Sequence, residues 1–372
     1  MSTRIVTTHE PMTVRCKWRL GSALALILLG LAMVILLAGE ESFVRQDIRF
    51  EHDGNQLQGV LVMPRGDTAP RACMVFVHGS GNIPRDAYGY YAPLWRLFAR
   101  QGWCSLAWDK PGVGDSSGDW RHQSMADRAA EVSAAIDFLR ESRGLGKGPV
   151  GLIGFSQAGW VLPKVANQRD DVAFVISVSG AVNWMAQSRY SGRQRRLAEG
   201  LNAAEIAIEE AASARVDALI ESGASYSEYL ALVAGERDQE PMSEAFWGFA
   251  QRNWNADVRD DLRRLQVPMM ALFGSHDAYV DSVASSEAYR QALARSQAPF
   301  FEIAIIDGAD HSLMPTSEVK PAHEGMAAWW LLLKIWFGGD DLYADGVKAR
   351  LSQWLGRFPE PLADAMARGE SR

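Results

Sequence analysis

Six short runs with almost no charge constrain this chain more than any other feature. CMVFVHG (73–79), WCSLAWD (103–109), VGLIGFS (150–156), VAFVISVSG (172–180), VPMMALFGSHD (267–277) and FFEIAIIDGADH (300–311) are apolar nearly throughout, the pattern of strands covered on both faces. Between them, stretches 91–101, 125–141, 157–167 and 283–295 bring back apolar residues every three or four positions, as helices with one buried stripe do. Strand and helix in alternation predict an α/β fold, a mostly parallel, doubly wound sheet with helices on both faces. FVRQDIRFEHDGNQLQGVLVMP, ahead of the first run, alternates apolar and polar residues on either side of Asp53-Gly54, which predicts an antiparallel hairpin. Residues 181–262 interrupt the rhythm with charged helical stretches and no strand-like run, so they are expected to form a helical lid inserted above the sheet.

In such sheets functional groups gather at the carboxyl ends of the strands, where loops converge over a crevice. Ser156 stands at one of these ends. Its surroundings, GFSQAG, lead a strand into a helix through Gly-x-Ser-x-small, the form of a nucleophile elbow. The tight turn needs small neighbours; Gly154 satisfies this and Ala158 less fully. A serine ahead of an apolar helix is also a common N-cap, so the motif needs partners before it carries chemistry.

A serine hydroxyl attacks at neutral pH only with a base in hydrogen-bond reach. Of the seven histidines, His78, His276 and His311 follow strands. His78 opens the loop HGSG and His276 shares its strand end with Asp277, which leaves His311, in DGADHSL, to reach across. Asp277 ends the preceding strand and is placed to accept the second ring N–H and hold the tautomer. Asp281 as the acid and His276 as the base are the rivals. The order Ser156, Asp277, His311 is the chain order of α/β-hydrolase triads. An acyl-transfer intermediate also needs N–H donors for its oxyanion; the amide of Gln157, after the serine, and that of Ser80, in HGSG, are the candidates.

HGSGNIPRD, DKPGVGDSSG, GFSQAG, GSHD and GADHSL together resemble the serial motifs of the α/β-hydrolase superfamily. More narrowly they are similar to lid-bearing esterases near the dienelactone-hydrolase and prolyl-oligopeptidase catalytic domains, over about residues 44–357. The resemblance implies hydrolysis of a small-molecule ester or acyl substrate without a cofactor or metal. It also implies Ser156 as nucleophile, His311 as base, Asp277 as its orienter, and a structural loop of Asp109 and 112–114 beside the pocket. Serine peptidase and thioesterase, which share the acyl-enzyme chemistry, are alternatives, and an inactive membrane-anchored binding module is the alternative from another class. Two segments depart from the pattern: Ala158 stands where a second elbow glycine is usual, and HEGMAAWWLLLKIWFGG (323–339) has no counterpart. The latter's apolar part is too short to span a bilayer and is expected to be a core helix rather than an interfacial one.

The formal net charge is −7. The first 38 residues hold Arg4, Arg15, Lys17 and Arg19 against Glu10 alone, so the remainder is more acidic still. That body has no electrostatic means of binding nucleic acid. Leu20 to Ala38 is an uncharged run of 19 residues, enough to cross a bilayer core. Leu36 spoils the small-x-small site a signal peptidase would need, so an uncleaved anchor is expected, with export after cleavage as the alternative. Basic residues precede the run and Glu40, Glu41 and Asp47 follow it, placing the N-terminus in the cytoplasm and the body outside.

The expected organisation is therefore a basic segment 1–19, a span 20–38, a catalytic domain 44–180 with 263–357, a lid 181–262 and a tail 358–372. Three cysteines cannot all pair; Cys73 and Cys104, inside apolar runs, are expected to be buried free thiols, neighbours on adjacent strands being the alternative. In the lid, Trp184, Trp247 and Trp254 are expected to build its own small core, an acyl pocket being the other use. RYSGRQRR (189–196) is expected to be a solvated basic face rather than a site for an anionic group.

Overall fold

The computed structural model describes residues 42–66, 70, 72–141, 148–234, 240–319, 335 and 339–358. The expected membrane span, the basic segment before it, most of 323–339 and residues 359–372 lie outside the described residues. Among the described residues no helix is long and apolar enough to cross a membrane.

The elements run β1 (Phe43–His52), β2 (Asn55–Pro64), β3 (Ala72–Val77), α1 (Ala92–Arg100), β4 (Trp103–Trp108), α2 (Met125–Glu141), β5 (Val150–Phe155), α3 (Leu162–Gln168) and β6 (Val172–Val178). Five helices follow, α4 (Trp184–Ala198), α5 (Ala203–Ser222), α6 (Tyr226–Val233), α7 (Glu244–Asn253) and α8 (Arg259–Arg263). The chain then returns to β7 (Met269–Gly274), α9 (Ser282–Leu293), β8 (Phe301–Ile306) and α10 (Val347–Leu355). The strands form one sheet in the order β1-β2-β4-β3-β5-β6-β7-β8. β1 and β2 are antiparallel, β2 joins β4 antiparallel, and every later pairing is parallel. This is the α/β-hydrolase architecture.

Local chemistry accounts for these elements. Asp53 and Gly54, both at positive φ, make the two-residue turn that suits the twist of a hairpin, and they set the register His52↔Asn55. β3, β4, β6 and β7 are buried at every position, as the uncharged runs require. Their alternate side chains feed two cores. On one face α2, α3 and α9 pack Ile136, Val165 and Tyr289 against Val75, Leu152 and Phe273. On the other, α1 and α10 pack Trp95, Phe98 and Trp354 against Met74, Phe76 and Phe174. Residues 157–167, expected as one helix, divide into a 3₁₀ turn over Ser156–Trp160 and then α3, with Pro163 in the first turn of the latter.

Helices α4 to α8 form the insertion between β6 and β7. Trp247 is buried in a small core with Ile220, Tyr229 and Ala250, and Trp254 packs against it. Trp184 instead joins the core beneath, stacking on Trp160 with ring centroids 5.5 Å apart.

The cysteine expectation is corrected. Cys73 and Cys104 face each other in register on β3 and β4, with Cα atoms 4.5 Å apart, and are joined as a disulfide. Adjacency of β3 and β4 brings them together across 31 residues of chain. After digestion without reductant, the peptides carrying Cys73 and Cys104 should be recovered as one mass. Reduction should cost about 2–4 kcal/mol of stability, read as a lowered denaturant midpoint.

Candidate active site

Ser156 follows directly on β5 with φ at +53°. For a residue with a side chain this left-handed backbone costs about 1–3 kcal/mol and persists only where its surroundings enforce it. A Cβ added to Gly154 would stand 2.6 Å from Ala158 Cβ and 2.9 Å from Leu162 Cδ1. Only one of positions 154 and 158 has room for a methyl. That is how alanine is accommodated where a second glycine is usual.

Asp277 and His311 lie on the loops after β7 and β8. Asp277 is buried, and its Oδ2 is 2.7 Å from His311 Nδ1. Its Oδ1 accepts the N–H groups of Tyr279 at 2.7 Å and Val280 at 2.9 Å. With the carboxyl group accepting at both oxygens, Nδ1–H donates to Oδ2 and Nε2 is the ring nitrogen left with a lone pair. Asp310 shapes the histidine loop by accepting from the amides of Ser312 at 2.8 Å and Met314 at 2.9 Å. Burial alone would lower the His311 pKa; the charge of Asp277, its hydrogen bond and the charge of Asp310 outweigh it, and the net shift is upward. The rivals are engaged elsewhere. Asp281 caps α9 by accepting from the Ala284 amide at 2.9 Å, and His276 Nδ1 lies 3.2 Å from the hydroxyl of its neighbour Ser275.

The HGSG loop passes against the serine: a Cβ on Gly79 would stand 3.3 Å from Ser156 Cβ. Behind it lies a buried polar cluster that sequence reasoning missed. Lys110 Nζ donates to the Gly79 carbonyl at 3.1 Å, Arg128 Nη2 to the His78 carbonyl at 2.7 Å, and Arg128 Nη1 to Gln157 Oε1 at 2.5 Å. Burial, with help from Arg128, holds the Lys110 pKa well below its ordinary value, Glu131 opposing. His78 is pushed down to about 3, chiefly by burial, against its bond to the Trp108 carbonyl, with Lys110 and Arg128 adding to the lowering. It is therefore neutral, donating from Nε2 to Trp108 O at 2.5 Å and accepting the Tyr91 hydroxyl at Nδ1, 2.8 Å away. Asp109 accepts from the Arg85 amide and guanidinium, each at 2.6 Å, and so ties the loop after β4 to the residues following HGSG. One signal was present in the sequence: Arg128 and Glu131 occupy positions of the α2 stripe that otherwise reads Met125, Ala129, Val132, Ile136.

Ser80, Ser156, Gln157 and His311 border one cavity of about 750 Å³. Trp160 and Trp184 form part of its wall, and Val216, Ile220 and Phe246 close it from the insertion. The α4 helix is fastened to the loop that carries Asp277, with the Tyr190 hydroxyl donating to Asp277 O at 2.9 Å and Gln187 Nε2 to Tyr279 O at 3.1 Å. The basic stretch on α4 departs in part from expectation. Arg189, Arg193 and Arg195 pair with Asp217, Glu210 and Glu199. Arg196 is buried, donating to Glu209 O and the Ser213 hydroxyl. Among the described residues no group of three or more His, Cys, Asp or Glu side chains is arranged to hold a metal ion.

The family described as serine aminopeptidase, S33, matches residues 68–318, more than half of the chain. The match is to that family rather than to dienelactone hydrolases. No curated protein sequence matches significantly. Among solved structures, an esterase of Pyrococcus furiosus superposes in two crystal forms with TM-scores of 0.54 and 0.52, at 15% and 16% identity. In both, the alignment covers 86% of this chain and 92% of the other. At that identity the likeness is one of fold.

The electrostatics of the imidazole can be read directly. In a ¹H–¹⁵N titration the His311 ring should titrate above the ordinary 6.5 of histidine. In Asp277→Asn the raising charge and its charge-assisted hydrogen bond are gone while burial remains, so the midpoint should fall. An unmoved midpoint would show that Asp277 does not govern the ring.

Proposed function

The chain belongs to the serine aminopeptidase S33 family of α/β-hydrolases, and from that premise we propose that it hydrolyses carboxylic esters through an acyl-enzyme on Ser156. One observation carries the reading: an imidazole held through Nδ1 by a buried carboxylate borders the same cavity as a serine in strained left-handed geometry. In the proposed reaction Ser156 Oγ bonds to the ester carbonyl carbon while its proton passes to His311 Nε2. The carbonyl oxygen becomes an oxyanion facing the amides of Ser80 and Gln157. As the tetrahedral intermediate collapses, the C–O bond to the alcohol breaks and His311 returns the proton to the leaving oxygen. Water repeats the sequence on the acyl-enzyme, giving the acid and free Ser156. Asp277 balances the imidazolium formed in each half.

The apolar wall of the cavity supports an acyl chain as the group bound there. A second reading, release of an N-terminal amino acid, draws on the family description and on Glu209 and Glu240, which also border the cavity and would suit a substrate ammonium. p-Nitrophenyl esters of graded length, set against aminoacyl p-nitroanilides, separate the two by kcat/KM. With whichever substrate turns over, Ser156→Ala and His311→Ala should each lose at least about 10⁴-fold in kcat, and the double variant should be little slower than either. Retained turnover in Ser156→Ala would remove the mechanism. Only neutral His311 can accept the proton, so the acid limb of the kcat/KM profile should lie above the ordinary histidine range.

We also propose that residues 20–38 tether the enzyme to a membrane with its body on the non-cytoplasmic side. The Cys73–Cys104 disulfide supports an oxidising compartment. The full chain should resist carbonate extraction and dissolve in detergent, and a chain starting at Glu41 should be soluble and active. A mature N-terminus between Ala38 and Phe43 would mean a cleaved signal instead.

A further inference from the structure

Two basic side chains lie buried behind the loop that faces Ser156, Lys110 at 1% exposure and Arg128 at 3%. Side chains of this kind are almost never so enclosed unless a carboxylate pairs with them. The nearby buried carboxylate, Glu131, accepts from Trp108 Nε1 at 2.7 Å and Gln123 Nε2 at 2.6 Å. Both basic groups hydrogen-bond neutral acceptors instead, the carbonyls of Gly79 and His78 and the amide oxygen of Gln157. All three acceptors belong to the residues that flank the proposed oxyanion position.

Peptide geometry turns these contacts into an orientation. A trans peptide unit points its carbonyl and the following N–H in opposite directions. With the Gly79 carbonyl drawn to Lys110, the Ser80 N–H points away from that buried side, and Ser80 borders the cavity. The loop would not hold this by itself. Glycines flank Ser80, and a peptide beside glycine flips at little steric cost. Arg128 acts at the other end, with one nitrogen on the loop and one on the elbow, so it sets the separation of the two amide donors.

We propose that Lys110 and Arg128 are positioning residues of the oxyanion hole: Lys110 fixes the direction of the Ser80 amide, and Arg128 ties the HGSG loop to the nucleophile turn. The inference rests on the acyl-transfer reading above. It also gives the two buried basic groups a role. Exchanging a buried charge for a well-packed apolar side chain is often neutral or stabilising, so stability alone would not keep Lys110 here.

The test uses Lys110→Met and Gln157→Met in the full-length protein, with an aliphatic trifluoromethyl ketone and its parent methyl ketone as probes. The fluorinated ketone accepts Ser156 Oγ at its carbonyl carbon, passes the serine proton to His311 and leaves an oxyanion in the hole; the parent ketone binds without that bond. In Lys110→Met, kcat and affinity for the trifluoromethyl ketone should fall together, about 10- to 100-fold, with KM and methyl ketone affinity unchanged and Tm held or raised. Gln157→Met, which deletes only the side-chain tether to Arg128, should show the same split to a smaller extent. Wild-type affinity for the trifluoromethyl ketone in folded Lys110→Met, or equal weakening of both ketones, would overturn the role of Lys110. If Lys110→Met does not fold, Gln157→Met decides: unchanged adduct affinity there would overturn the inference. A wild-type protein that forms no adduct would remove the acyl-transfer reading, and this inference with it.

Discussion

At Ser156 the chain turns from strand to helix through a left-handed residue, and the rest of the site is arranged around what that turn excludes. The bend leaves no space for side chains at both 154 and 158, and it lets HGSG come close enough that Gly79 all but touches the serine. It also places the Gln157 amide at the start of a helical turn, where backbone N–H groups have no intrahelical partner. Strained backbone, a thin loop and an available donor are thus three aspects of one geometric choice.

Charge is distributed about the serine with matching economy. Behind the imidazole sits a carboxylate whose second oxygen is satisfied by two main-chain amides, so its position is independent of the histidine. On the other flank, behind HGSG, sit the Arg128 guanidinium and the Lys110 amine. In the proposed reaction the imidazole gains positive charge beside the Asp277 carboxylate, and the carbonyl oxygen gains negative charge on the side of HGSG that Arg128 holds from behind. Buried dipoles and charges act through a low effective dielectric, so this polarity is already in place before substrate arrives and needs no reorganisation during the step.

Much of this could be read from residue order because each visible feature reflects a single local requirement. Strands covered on both faces must be apolar, so the sheet stood out; chemistry at strand ends picked out Ser156 and His311, which border one cavity, and Asp277, which lies buried behind His311 and is hydrogen-bonded to it. What escaped depends on relations between distant elements. Lys110 looks like a solvent-facing charge, and Arg128, although it falls in the apolar stripe of α2, shows no partner until β4 and α2 are set against the HGSG loop. Cys73 and Cys104 pair only because β3 and β4 become neighbours in one particular register. Arg196 shares a stretch with three ion-paired arginines, and nothing in its spacing marks it as the one that turns inward.

The hydrogen bonds from Tyr190 and Gln187 to the backbone around Asp277 give the insertion a root and a crown. Its first helix is bound to the loop that carries Asp277, whereas α5 to α7 reach the cavity mainly through apolar side chains. Drift in the crown can reshape the chamber without moving the carboxylate, but drift in the root is transmitted to it. A lineage adapting this scaffold to new substrates would therefore diversify after Ala198 and hold α4 nearly still. An engineer exchanging lids between relatives would find the workable seam within the insertion rather than at its edge.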